Sequence, residues 1–153
     1  MIPTTANLNR LYSPYSSAVN QLPWLQSIAS LFARLYLANV FFSAGLTKLR
    51  DWDTTLFLFE EEYAVPLLPY ELAAWLGTAA ELVLPVLLVV GLATRFTAIG
   101  LFVFNIVAVI SLAEIAPAAL YLHVIWGLLL AQLALYGSGI ISADHGIRKW
   151  LGN

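Results

Sequence analysis

Residues 72–136 read LAAWLGTAAELVLPVLLVVGLATRFTAIGLFVFNIVAVISLAEIAPAALYLHVIWGLLLAQLALY. Across this stretch only Glu81, Arg95 and Glu114 carry charge. Arg95 and Glu114 separate three apolar runs, 72–92, 96–113 and 118–136, and a fourth run, 25–46, lies upstream. Each is close to the ~20 residues a helix needs to cross a hydrocarbon core of about 30 Å. In lipid every backbone amide must be satisfied by the chain, so a span is a helix or part of a closed barrel. The runs are continuous rather than alternating, which selects helices. The connections Ala93–Arg95 and Glu114–Pro117 are so short that the last three spans must be antiparallel neighbours. The predicted fold class is all-α: an integral membrane four-helix bundle, antiparallel and up-down.

The whole chain fits that reading. Of its 153 residues, 61% are hydrophobic and 10% charged, against about 45–50% and 25% in soluble domains. Mean hydropathy is +0.83. A soluble fold of this size has too little polar surface to cover so much apolar chain. An ordinary soluble enzyme, a disordered chain and a basic nucleic-acid-binding module are excluded. The net charge of −2 points to no polyanionic partner. There is no cysteine, which removes disulfides, thiolate nucleophiles and Cys-ligated clusters. Only His123 and His145 could offer imidazole, so no metal site is expected. The first apolar run begins at Leu25, too late for a cleaved signal peptide.

Loop charges give an orientation. Residues 47–71 form an acidic loop: Lys48 and Arg50 stand against Asp51, Asp53, Glu60, Glu61, Glu62 and Glu71. Arg10, Arg95, Arg148 and Lys149 gather on the other side. The positive-inside rule makes that side cytoplasmic, with both termini inside and the acidic loop outside. The expected organisation is an N-terminal surface segment (1–24), the bundle (25–136) and a cytoplasmic tail (137–153). Pro14, Pro23 and the Ser-rich Ser13–Ser17 mark the surface segment. Trp24 and Tyr70 fall at the interfaces, and Leu56–Phe59 is expected to lie along the membrane face. Gly137–Ser138–Gly139 ends the last helix and has no phosphate-loop pattern.

Polar residues inside spans are costly and mark candidate sites. Counted from the outer ends at 1.5 Å per residue, Asn39, Glu81 and Asn105 lie about 14–15 Å deep, near the midplane. Arg34 and Gln132 lie at about 21 Å, and His123 at about 8 Å. With Lys48 at the outer end, these seven are the candidate ligand residues, arranged as one polar column. Arg34 is expected to reach Glu81 and keep it charged. That pair has two readings, an interhelical staple or a functional site. Arg34, Ala38, Phe41, Gly45 and Lys48 share one helical stripe. Pro85 leaves the Glu81 carbonyl without its helical donor, which favours a kink or a small hydrated pocket there.

Three blocks, taken in order and spacing, resemble the DoxX family of small four-helix membrane proteins. ARLYLANVFFSAGLTKL (33–49) carries Arg34, Gly45 and Lys48. FEEEYAVPLLPYELAAWLGTAAELVLPVLLVVGLATRFTA (59–98) carries Glu81, Gly91 and Arg95. LHVIWGLLLAQLALYGSGIISADHGIRKW (122–150) resembles the family's Gly-x-Gly-x-x-Ser-x-Asp ending through Gly137, Gly139, Ser142 and Asp144. The resemblance implies a multi-pass protein of the bacterial inner membrane. The family takes its name from similarity to a subunit of an archaeal thiosulfate:quinone oxidoreductase. Some bacterial members are associated with redox-stress or sulfur-linked membrane complexes, and others neighbour metal-handling genes.

The expected function is accordingly a membrane accessory subunit of a quinone-linked redox system, with quinone as the candidate cofactor. At most the chain is a subunit of a membrane oxidoreductase. One alternative is a non-enzymatic partner that anchors a redox or metal-handling complex. Another is a small-solute carrier built as a homo-oligomer. Expected partners are the lipid bilayer and another membrane or periplasmic protein; no nucleic acid is expected.

Overall fold

A computed structural model describes residues 5–152, and side chains from Val19 onward except that of residue 20. Six helices follow one another: α1 (Thr5–Arg50), α2 (Trp52–Glu61), α3 (Tyr70–Val90), α4 (Thr94–Ile110), α5 (Pro117–Tyr136) and α6 (Ala143–Trp150). No strand occurs among the described residues; a single antiparallel bridge joins Tyr63 to Leu112. Three stretches are long and apolar enough to cross a membrane: Gln21–Arg50, Tyr70–Val90 and Pro117–Tyr136. α4 is equally apolar but has 17 residues, about 25 Å of helix.

Four of these helices form the bundle. α3 packs on α1 and α4, α5 packs on α4, and α5 touches α1. Their shared core is Leu37, Phe41, Leu88, Leu101, Leu130 and Leu133. Gly45 lets α1 and α3 approach closely: a Cβ there would meet the Leu82 side chain at 2.9 Å and Glu81 Cβ at 3.0 Å.

Three regions carry more structure than the sequence reading gives them. First, residues 5–24 are helical, and helix runs unbroken from Thr5 to Arg50. Pro14 and Pro23 do not end it, because a proline removes one amide donor and a long helix absorbs the loss. Residues 1–4 lie outside the described residues.

Second, the acidic loop contains a docked helix. Asp51 caps α2, accepting from Thr54 N at 3.0 Å and Thr54 Oγ1 at 2.7 Å. Those bonds hold the Asp51 carboxyl below its ordinary pKa. Phe59 of α2 does not lie along the membrane face but is buried against Ala73 and Ala74 of α3.

Third, the tail packs back on the bundle. Ser27 Oγ accepts from Ile140 N at 3.1 Å, and Ser30 Oγ donates to the Gly137 carbonyl at 3.1 Å. Gly139 has φ +72°, and a Cβ on it would stand 2.6 Å from Ser27 Oγ. Asp144 reaches back to cap α4, accepting from Ala93 N at 2.7 Å and Thr94 N at 2.9 Å. Burial pushes the Asp144 carboxyl up, but the Thr94 and Ala93 bonds and the nearby Arg148 outweigh it and hold its pKa below the ordinary value. The Gly-x-Gly-x-x-Ser-x-Asp ending is thus a plug beneath the bundle.

Candidate functional site

The ion pair expected between Arg34 and Glu81 does not form. Glu81 is held by Lys48, whose Nζ lies 2.7 Å from Oε1 and 2.6 Å from Oε2. The Glu81 side chain is 7% exposed and that of Lys48 21%. The reason is register. Equal outer ends for the spans would set Asn39 level with Glu81, whereas Gly45 sits there. The offset of six residues is about 9 Å. Lys48 stands one turn beyond Gly45, and helical side chains lean toward the N-terminus, so its ammonium falls back onto Glu81.

Arg34 is therefore carried to the α6 end. It donates from Nη1 to the carbonyls of Ser138 (3.1 Å) and Ile141 (2.9 Å), and from Nη2 to that of Val89 (2.9 Å). It is 2% exposed and acts as a clamp between α1, α3 and the plug.

Asn105 of α4 and His123 of α5 bond twice. Asn105 Nδ2 donates to the His123 carbonyl at 2.9 Å, and Asn105 Oδ1 lies 2.8 Å from His123 Nδ1. That orientation presents an acceptor to Nδ1, so in the neutral ring Nδ1 carries the hydrogen and Nε2 keeps a lone pair for another partner. The His123 ring packs edge-on against Trp126 at 4.8 Å. Trp126 Nε1 in turn donates to Tyr36 Oη at 3.1 Å.

Lys48, Glu81 and His123 line one cavity of about 630 Å³, within the usual range of small-molecule sites. The remaining walls are mostly apolar, with Phe41, Phe59, Phe104 and Trp126 among them. Tyr63, just beyond α2, adds a hydroxyl-bearing ring to the wall. Burial, and then the charges of Glu62 and Glu81, push its phenol above the ordinary pKa, so it stays a neutral donor. Sequence reasoning does not single out Tyr63 or Trp126, because neither is costly in an aromatic-rich membrane chain. Their only signal is proximity to the Glu60–Glu62 run and to His123.

The other candidates go elsewhere. Asn39 is exposed on α1, beside Pro85 in a shallow, lipid-side cleft of about 360 Å³. Gln132 is half-buried on α5 and lines no described cavity. The seven residues do not make one continuous column. Three of them, Lys48, Glu81 and His123, line the cavity, and Asn105 holds His123 from behind it. Among the described residues no group of three or more His, Asp or Glu side chains could hold a metal.

A family model described as DoxX matches residues 29–114, more than half of the chain. The protein belongs to the DoxX family and is a multi-pass membrane protein. The match spans Arg34, Lys48, Glu81 and Asn105 and ends before His123 and the plug. No curated protein and no solved structure matches the chain.

Proposed function

We propose that the protein is a membrane accessory subunit of a quinone-linked redox system, and that its cavity holds a quinone head group. The carrying observation is one largely apolar cavity that has Lys48, Glu81 and His123 together in its lining. A quinone is a flat apolar ring with oxygens at opposite edges. Apolar and aromatic walls suit the ring, and the ammonium and the imidazole in the lining suit its edges. Lys48 donates toward a ring oxygen. His123 Nε2 accepts from a quinol hydroxyl, with Asn105 fixing the ring that presents it. When bound, the quinone supplies two-electron, two-proton redox chemistry; this chain binds and orients it beside groups that exchange protons. A partner in the membrane or on the outer side takes or gives the electrons.

In this reading the protein lies in a bacterial inner membrane with α4 as the fourth span and both termini inside. Arg95, Arg148 and Lys149 then lie on the cytoplasmic side. A solute carrier is less well supported: Arg34 bonds the carbonyls of Val89, Ser138 and Ile141 and so ties α1, α3 and the plug together at the α6 end, where a path would have to pass.

Mass spectrometry of lipid extracts from the purified protein tests the proposal. The wild type retains quinone at near one per chain. His123→Ala loses it while the bundle stays in the membrane and folded; His123→Gln, which keeps a donor and an acceptor, retains part. Normal retention by His123→Ala with a lowered melting midpoint would make His123 interhelical glue, and the anchoring function would replace this one.

A further inference from the structure

A second cavity, of about 480 Å³, opens at the α6 end and is walled by α1, the first turn of α4, the end of α5 and α6. Arg95 and Arg148 line it, from α4 and α6 respectively, and both are exposed. One acidic group faces them: Asp144, whose two carboxylate oxygens already accept from Ala93 N and Thr94 N. His145 also lies in the wall. The cavity therefore presents two guanidinium groups against one carboxylate engaged in capping.

The level of this cavity is marked independently. Trp24, Tyr136 and Trp150 are 55%, 64% and 85% exposed around the same end of the bundle. Aromatic rings with a polar edge collect at the headgroup level of a bilayer. Beside the arginines, Phe96 is 81% exposed, and Ile147 and Leu151 turn a further apolar face outward from α6. The basic groups thus open onto a surface fit for acyl chains. Arginine pairs with phosphate oxygens in a planar fork.

We infer that this cavity is a binding site for the phosphate of an anionic phospholipid, with Arg95 and Arg148 as its ligands and Phe96 and Tyr136 receiving the upper acyl chains. A free phosphate satisfies the arginines equally but leaves the apolar rim without a partner. The site lies at the opposite end of the bundle from the quinone cavity and stands independently of it.

Native mass spectrometry of the detergent-purified full chain tests the inference, titrating phosphatidylglycerol and phosphatidylcholine with matched acyl chains. The wild type binds the anionic lipid more tightly. Arg95→Gln/Arg148→Gln weakens that binding by roughly thirtyfold, from about 1 kcal/mol per basic group, and weakens phosphatidylcholine binding less, because choline already balances its phosphate. Arg148→Gln alone, on the exposed face of α6, gives an intermediate loss and serves if the double variant aggregates. Equal binding of the two lipids by the wild type, or an unchanged phosphatidylglycerol affinity in the variants, overturns it. So does displacement of the lipid by inorganic phosphate at equal concentration, which would mark a free-anion site.

Discussion

Asn105 grips His123 at two points with one amide, its nitrogen on the backbone carbonyl and its oxygen on the ring. The contact ties α4 to α5 and sets which ring nitrogen carries the hydrogen. Asn105→Leu removes both bonds and leaves His123 Nδ1 without its acceptor. The expected cost is about 1–3 kcal/mol, and quinone retention should fall along with the melting midpoint. Asn105→Asp, which keeps an acceptor on Nδ1, should hold more quinone than Asn105→Leu. Equal retention in the two variants would show that the ring orientation does not matter.

The Lys48–Glu81 pair calls for a double-mutant cycle. Breaking a buried pair from one side leaves an uncompensated charge, at about 3–5 kcal/mol. Lys48→Met should be the more damaging single change, since it strands the carboxylate. Lys48→Met/Glu81→Gln should melt no lower than Lys48→Met alone. In the parallel cycle, Arg34→Gln and Glu81→Gln should add, because those residues do not touch. Coupling between Arg34 and Glu81 would contradict the structure.

Asp144 gives the plug a pH signature. Its pKa in the folded protein is lowered, so the folded state favours the carboxylate. The resulting stability is fully present above the unfolded value of about 3.9 and is lost as pH falls through the lower folded value. Melting in detergent should show an acid limb below about pH 4 that is smaller in Asp144→Asn. The same variant should cost about 1 kcal/mol at neutral pH, as losing a helix cap does.

Orientation is open to labelling with an impermeant maleimide. Thr55, on α2, is buried, so the probe site on that side is Glu61, at the exposed end of α2. On the other side, a Cβ added to Gly146 would meet nothing within 4 Å, so that position accepts a side chain freely. Glu61→Cys should react from outside in intact cells and Gly146→Cys only after permeabilisation. The reverse pattern would invert the bundle.

Apolar runs and short connections make the helices legible in the sequence, because burial in lipid needs only length and composition. Depth is not legible, because it depends on where each helix stops. A count from Glu114 places Asn105 deeper than His123. α4 in fact ends at Ile110, where Ala64 N bonds to the Ser111 carbonyl and Tyr63 bridges Leu112. Asn105 is five residues from Ile110 and His123 five from Ala118, which brings them level. Lys48 looks like no more than the end of a span, although Gly45 on the same stripe signals close approach. The candidate site is thus visible as residue types and hidden as pairings.

The Arg34 clamp bears on how the protein is made. The guanidinium belongs to the first long helix, yet two of its three carbonyl partners come from Ser138 and Ile141, near the other end of the chain. During synthesis, α1 enters the bilayer carrying a charge whose acceptors have not yet left the ribosome. Only once Ser138 and Ile141 have been made does that charge gain these two partners. A chain cut before Ser138 keeps every apolar span, yet its Arg34 has only the Val89 carbonyl left of the three.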